Sequence, residues 1–500
     1  MAFFELNIAM SGLFAAQRGL QVTSNNITNA ATTGYSRQVL SQQASTPISG
    51  LSVGMTGTGV TTTGVNRVRD SYIDQKLWTQ NPQLGEHNIK VTQNSMMETA
   101  FGEPSDTGFT GVFNNMFSAM STLSNNPSSK ENKVVLVEEM ESFTKYFNNI
   151  AATLQKQQKD LNFEIKGMVD EVNTLATRIQ SLNQQIFNAE LYGSEASSFR
   201  DERDNCIDRL SEIVNVEVSE EEYQLKGHTM SKYTVRVDGL PLVDHLSVNT
   251  LDIKARAIGD KRNPQDQEGL YDIVWSTGST FDINSSTMSG ELKGLIDMRD
   301  GVGTNSKGNN NYTGIPYYLS RLDTYVQTFA KTMNEQYSKY GNDKKALFTY
   351  AEGDTVASGV NVDHSKITAA NFSISKELLE DPTSMTTLKD SSNPSDTSFM
   401  LELLGQKDNK QMFKEGDPKD YMVAIFAELG INAKEAEMYQ STQVAVTNNL
   451  KNQRLSVSQV DTSEEFTYLI QYQQAYQAAA KIMSTIDSIY ETTIFKLGNF

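Results

Sequence analysis

Large apolar side chains recur every seven residues at the start of the chain, at Leu6, Leu13, Leu20 and Ile27, with Phe3, Met10, Ala16 and Gln17 at the intervening steps. That alternation is a coiled-coil seam and predicts a long N-terminal helix. The last segment repeats it through Phe466, Leu469, Gln473, Tyr476, Ala480, Met483, Asp487, Tyr490, Ile494 and Leu497. Beside it runs a second stripe of Tyr472, Ala475, Ala479, Ile482, Ile486 and Ile489. A helix apolar over so wide an arc expects more than one neighbour. Ordering such a helix costs more entropy than burying its own seam returns, and an isolated helix is marginal in water. Both termini are therefore expected to be largely disordered in a free monomer and to become helical against each other and against neighbouring subunits.

The longest seam lies between them: Phe143, Phe147, Ile150, Leu154, Gln157, Leu161, then after a phase slip Ile165, Met168, Val172, Leu175, Ile179, Leu182, Ile186 and Ala189. No proline falls between Pro127 and Pro241, so nothing forces a break, although Gly167 is a point of possible bending. Two further helical stretches can pack on this rod. One carries Leu319, Leu322, Val326, Phe329 and Met333, and the other, from Lys434 to Val460, carries Tyr439, Val446, Leu450 and Val457. The period changes at Val214, Val216 and Val218, which alternate with Asn215 and Glu217, and YTVRVDGLPLV reads as a hairpin turning on Asp238 and Gly239. The pattern gives a mainly α chain with an inserted β-rich domain: an elongated helical rod whose N- and C-terminal helices pair in a coiled-coil core. Its expected divisions are a terminal core from 1–38 plus 465–500, a rod from 39–210 plus 290–464, and an inserted outer domain at 211–289. The segment Asp300–Gly314 reads as a loop, and 341–418 as mixed structure.

Charge sharpens this division. The net charge is -18, yet residues 1 to 66 carry only Glu5, Arg18 and Arg37, and residues 466 to 500 only Lys481, Asp487, Glu491 and Lys496. The acidity sits in the middle, which argues against nucleic acid or an anionic membrane as a partner, since phosphate must be met by cations. No apolar run is long enough to span a bilayer, and no basic n-region opens a secretory signal. A single cysteine, Cys206, excludes an intramolecular disulfide.

Candidate chemistry is sparse. His87, His228, His245 and His364 show no paired-ligand spacing. Asp244 beside His245 and Asp363 beside His364 would point to opposite faces of a strand. The glycines of GMTGTG lack the lysine of a phosphate loop. The pattern contains no catalytic constellation, and no cofactor or metal is expected.

Certain residues at the ends go beyond a generic seam. SGLFAAQRGLQVTSNNITNAATTGYSRQ, with Asn25, Asn26, Ile27, Gly34, Tyr35, Ser36, Arg37 and Gln38, resembles the N-terminal signature of bacterial flagellar axial proteins, and EFTYLIQYQQAYQAAAKIMSTIDSIYETTI resembles the matching C-terminal end. The GYSRQ tail is similar to that of the hook-associated protein 1 family, found where hook meets filament. GVNRVRDSYIDQKL, RDERDNCIDRLSEIVNV and SGELKGLIDMRD agree with it. The resemblance implies a non-enzymatic structural role: terminal helices in the inner core of a tube, export by the flagellar type III apparatus without a cleaved signal, and an extracellular place on the flagellum. Implied partners are further copies of the chain in a ring, the hook protein, a second junction protein, and an export chaperone at the C-terminal helix. The expected subunit contacts are Leu6, Leu13, Leu20 and Ile27 against Phe466, Leu469, Tyr476, Met483, Ile486 and Tyr490, within or between subunits. Another axial protein such as the hook protein, or a secreted coiled-coil adhesin, stays open on the residues alone.

Overall fold

A proline-free stretch with a continuous apolar stripe can run far as one helix, and here it runs for 62 residues, Lys130–Leu191. At about 1.5 Å per residue this helix is about 93 Å long. Ser129 caps its start by accepting from Asn132 N, and it passes through Gly167 without interruption. The computed structural model describes residues 2–493 except 51–53, 103–104, 106–107, 193–195, 226–227, 284–287, 304–309, 340–344, 354, 390–391 and 394. The expected seam positions Ile494 and Leu497, and the side chain of Phe3, lie outside the described residues. The Asp300–Gly314 loop and the 341–418 stretch are described in part.

The helices in chain order are α1 (Ala2–Asn29), α2 (Ser71–Phe101), α3 (Phe109–Asn125), α4 (Lys130–Leu191), α5 (Ser197–Ile213), α6 (Glu291–Asp300), α7 (Ile315–Ser338), α8 (Lys376–Glu380), α9 (Ser398–Leu404), α10 (Pro418–Ser458) and α11 (Thr462–Glu491). The strands β1 (Gln38–Ala44) and β4 (Val60–Arg67) pair antiparallel as an arm beside α1, and β2 (Ile48–Gly50) pairs β3 (Gly54–Thr56) within it. A four-stranded sheet follows in the order β5 (Glu217–Leu225), β6 (His228–Val237), β7 (Leu240–Asp244), β8 (Ser247–Val248). β9 (Leu251–Ala255) pairs β10 (Tyr271–Trp275), and β11 (Phe348–Glu352) sits between β12 (Thr355–Val356) and β13 (Phe372–Ile374). The molecule is mainly helical, as the pattern predicts. The hairpin turns at Asp238 and Gly239, both in the left-handed region at φ 53° and 71°, which a two-residue type I′ turn demands.

α4 is the spine of one continuous core. Phe143, Phe147, Ile150, Leu154, Leu161, Ile165, Val172, Ile179 and Leu182 are all buried along it, and α3, α7 and β13 close around its N-terminal half. Phe147 stacks on Tyr325 at 5.2 Å and meets Phe143 edge-on at 5.2 Å. The strands of 211–289 do not close a core of their own: Tyr233, Val235, Leu242, Val243, Ile273 and Trp275 join the same cluster. A sheet with a single apolar layer has to bury it against another element, and α4 supplies that surface.

α3 carries a short apolar stripe at Phe109, Phe113, Met116, Met120 and Leu123, whereas α2 has no seam in the sequence pattern. α2 buries Asp74, Asn81, Lys90, Gln93 and Asn94 as well as Leu77, Trp78 and Met97, and it contains Pro82, so its inward face has no hydropathy signal. His245 and His364 lie in turns rather than in strands, His245 at φ 54° and His364 in a short 3-10 turn.

Candidate assembly site at the joined termini

α1 and α11 run as an antiparallel pair. In the single chain the two termini are helical and paired with each other, and the contact is one of close approach. A Cβ on Gly19 would lie 2.5 Å from the Tyr472 ring, and one on Gly12 would lie 4.0 Å from Ala479 Cβ. The ring therefore rests directly on the α1 backbone. The buried positions of α1 are Ala9, Ala15, Ala16, Gly19, Val22, Thr23 and Asn26, and those of α11 are Glu465, Ala479 and Ile486. Small residues let the two backbones approach, and dispersion accumulates along the contact.

The large seam residues flank that stripe. Leu6, Leu13, Leu20 and Ile27 are half-buried, as are Leu469, Met483 and Tyr490, whereas Ile486 is buried. Phe466 and Tyr476 are exposed, at 54% and 37%. The sequence seam thus lies on the flank of the pair, with part of it facing outward. Phe14, Ile470, Ile482 and Ile489 are exposed on the same two helices. Ile8, Ala9, Gly12, Ala475, Ile482 and Ile486 line an apolar groove along them.

The base of the pair is built by the motif residues. After α1 the chain turns back through Ala30–Tyr35, with Gly34 at φ 78°, where a Cβ would collide with the Asn205 side chain at 2.0 Å. The buried Asn26 side chain closes the turn: Nδ2 donates to Gln38 O at 2.8 Å and Oδ1 accepts from Gln38 N at 3.0 Å. Tyr35 Oη donates to Asn26 Oδ1 at 2.8 Å and accepts from Asn25 Nδ2 at 3.2 Å. Burial, with the nearby Asp201 and Glu465 carboxylates, pushes the Tyr35 phenol up to about 12, so it remains a donor.

Ser36 and Arg37 reach across the sequence. Ser36 N and Oγ donate to the two Asp201 oxygens at 3.0 and 2.7 Å. Arg67 binds Asp201 and Asp204 at 3.1 and 2.6 Å, and Arg69 forks onto Asp74 at 2.7 and 3.1 Å. Arg37 bonds Glu465 at 2.8 Å and Glu464 at 3.2 Å, while its backbone N donates to Ser458 O at the end of α10. Burial opposes the Arg37 charge, but Glu465 and Glu464 hold its pKa above the ordinary value. Arg454 and Trp78 Nε1 both meet Asp208, each at 2.7 Å, and burial nevertheless raises the Asp208 pKa.

GYSRQ therefore ties together the end of α1, the start of α2, α5, and the α10–α11 corner. Asp201, Asp204 and Glu465 were absent from the expected site. Their only signal in the sequence was that they lie in, or at the edge of, stretches sharing the same resemblance. Nearly every charge in the cluster is met by an opposite one, an arrangement suited to holding elements together. Among the described residues no group of three or more His, Cys, Asp or Glu is placed to hold a metal, and no helix is long and apolar enough to cross a membrane.

Two helical termini paired at the base of a long helical body are the architecture of a flagellar axial protein, and three comparisons agree. Residues 6–35 match the flagella basal body rod protein family, and residues 451–494 match the flagellar basal body rod FlgEFG protein C-terminal family. Residues 94–346 match the flagellar hook-associated protein FlgK helical domain, and the chain belongs to that family. Flagellar hook-associated protein 1 of Bacillus subtilis is 28% identical over 99% of this chain and 98% of its own length. The Escherichia coli protein of the same name is 24% identical over 98% and 99%. The flagellar hook junction protein FlgK from Burkholderia pseudomallei shares the fold, with a TM-score of 0.58 at 12% identity, over 77% of this chain and 100% of that one.

Proposed function

We propose that this chain forms the ring joining hook to filament, with the α1/α11 pair in the inner core of the tube and the α4-centred body around it. The observation that carries the reading is the unfinished packing of the pair: Phe14, Phe466, Ile470, Ile482 and Ile489 are each more than half exposed, on helices that carry few charges. Neighbouring copies would cover these side chains, and Leu6, Leu13, Leu20 and Ile27 would pack on Phe466, Leu469, Tyr476 and Met483 of the next subunit. Hook protein below and a second junction protein above would contact the two ends of the ring, and the strands of 211–289 would face outward.

On this reading the chain leaves the cell through the flagellar type III apparatus without a cleaved signal and resides outside it. An export chaperone would cover α11, whose exposed apolar face invites premature association. The separable packing of the terminal pair suits such a route, since a two-helix pair opens at lower cost than the aromatic core. Immunogold electron microscopy of isolated flagella with antibody to residues 211–289 tests the placement. A single band between hook and filament is the expected result. Label along the whole hook or filament would move the chain to another axial role.

A further inference from the structure

Three polar side chains of α7, Asp323, Gln327 and Asn334, share one face of the helix, within about 40° of arc at 3.6 residues per turn. Each fastens the same segment, which runs from the 3-10 turn at His364 to β13. Asp323 accepts from Ala369 N at 2.8 Å, Gln327 Nε2 donates to Ile367 O at 2.8 Å, and Asn334 Nδ2 meets His364 Nε2 at 3.0 Å. Along the segment Ile367, Ala369 and Phe372 are buried, and Phe372 lies against the Phe143, Phe147 and Phe348 rings. The segment is a strap over the aromatic core.

Asn334 dictates the state of its own fastening. Its Oδ1 accepts from Leu347 N and Phe348 N, both at 2.9 Å, and its Nδ2 donates to Phe348 O at 2.8 Å. Turning the amide over would set its NH2 group against two N–H donors, so its orientation is fixed. One amide hydrogen is left for His364, whose Nε2 therefore accepts, with the ring proton on Nδ1. An imidazolium would turn an N–H toward that amide, and the bond would be lost. Burial is the largest cause of a lowered His364 pKa. Among the described residues, the charges on the elements around the ring are three of each sign: Lys331, Lys345 and Lys366 against Glu335, Glu352 and Asp363, with the Tyr350 phenol beside Lys366.

We propose that residues 363–371 are an acid-released strap: neutral His364 fastens the leading end to Asn334, and a proton taken up at Nε2 unfastens it while Gln327 and Asp323 keep the trailing end in place. The cover of the aromatic core then opens from one edge without loss of α7. A group whose folded pKa lies below its unfolded one contributes stability above the unfolded value, about 6.5 for imidazole, and that contribution goes as pH falls through the folded value. The strap is therefore closed at neutral pH and opens on the acid side. It does not depend on where the chain sits in the flagellum.

Hydrogen-exchange mass spectrometry on the full chain reads this at about pH 7.5 and about pH 5.5, either side of the imidazole value, with rates corrected for the intrinsic pH dependence of exchange. Protection in peptides spanning residues 360–367 should fall with pH, approaching about tenfold per pH unit for one linked proton, while peptides from the middle of α4 keep theirs. His364→Gln offers the Asn334 amide an acceptor that takes up no proton, so its strap should stay protected at both values. Equal protection of the unaltered strap at the two values overturns the proposal. A loss of protection that survives His364→Gln also overturns it, and assigns the response to Asp323, whose carboxyl burial pushes up. Should His364→Gln fold poorly, 15N spectra of the unaltered chain with labelled histidine decide: the proposal requires the His364 proton on Nδ1 at neutral pH, and a proton on Nε2 overturns the fastening.

Discussion

The body and the terminal pair solve the same packing problem with opposite materials. Around α4 the contacts are large rings: Phe109, Phe113, Phe143, Phe147, Tyr325 and Phe329 are all buried, with neighbouring rings 5.2 to 6.4 Å apart. Between α1 and α11 the contacts are Gly12, Ala16 and Gly19 against Ala479, the Tyr472 ring and Ile486, and most of the other large residues face outward or lie on the flank. A core of rings is complete within one chain. A seam rich in glycine and alanine buries little area per residue, so it joins two helices while leaving much of their apolar faces exposed.

Opening free energies range from near zero to the global value across a structure, so amide exchange in α1 and α11 should be protected yet faster by at least about a hundredfold than in the middle of α4. Equal rates in hydrogen-exchange mass spectrometry would erase the distinction between the two regions. Phe147→Ala should cost about 3 to 5 kcal/mol, the usual penalty for removing a buried ring, and should lower the thermal midpoint of the body.

Gly19→Val should act on the other region. The added atoms meet the Tyr472 ring, and overpacking of this kind costs about 1 to 3 kcal/mol. Exchange should rise in α1 and α11 while the midpoint of the body stays in place. The smallest effect concerns pH. Burial is the largest cause of a lowered imidazole pKa at His87, His245 and His364. The unfolded chain therefore takes up protons that the folded one refuses, and the contribution present above about pH 6.5 is lost as pH falls through the folded values. Urea titrations from neutral to mildly acidic pH should show that slope, and replacing the three histidines with glutamine should flatten it.

How much was legible in the sequence follows from the same contrast. The α4 stripe and the Asp238–Gly239 turn were readable because period and turn chemistry are local signals. α2 was not, because its buried face is largely polar and includes Asn81, Lys90, Gln93 and Asn94 around Pro82. The heptads of the termini marked the correct helices but drew attention to leucines on the flank; on α11 the contact follows the second stripe, through Tyr472, Ala479 and Ile486, whereas on α1 it is made by Gly12, Ala16 and Gly19, which carry no hydropathy signal. At the site, GYSRQ was visible only as a resemblance. Its partners lie far along the chain, Asp201 at 165 residues from Ser36 and Glu465 at 428 residues from Arg37, and no periodicity links positions so distant.

The central claim is that the exposed face of the terminal pair is an interface waiting for neighbours. Tyr476 tests it most directly, because it is 37% exposed in the single chain and so can be changed with little effect on the monomer. Tyr476→Asp would place an unpaired charge in the assembled core, which is strongly unfavourable. Supplied to cells lacking the native chain, it should yield a protein with an unchanged thermal midpoint that fails to enter the flagellum. Normal incorporation, seen as an ordinary immunogold band on isolated flagella, would contradict the claim.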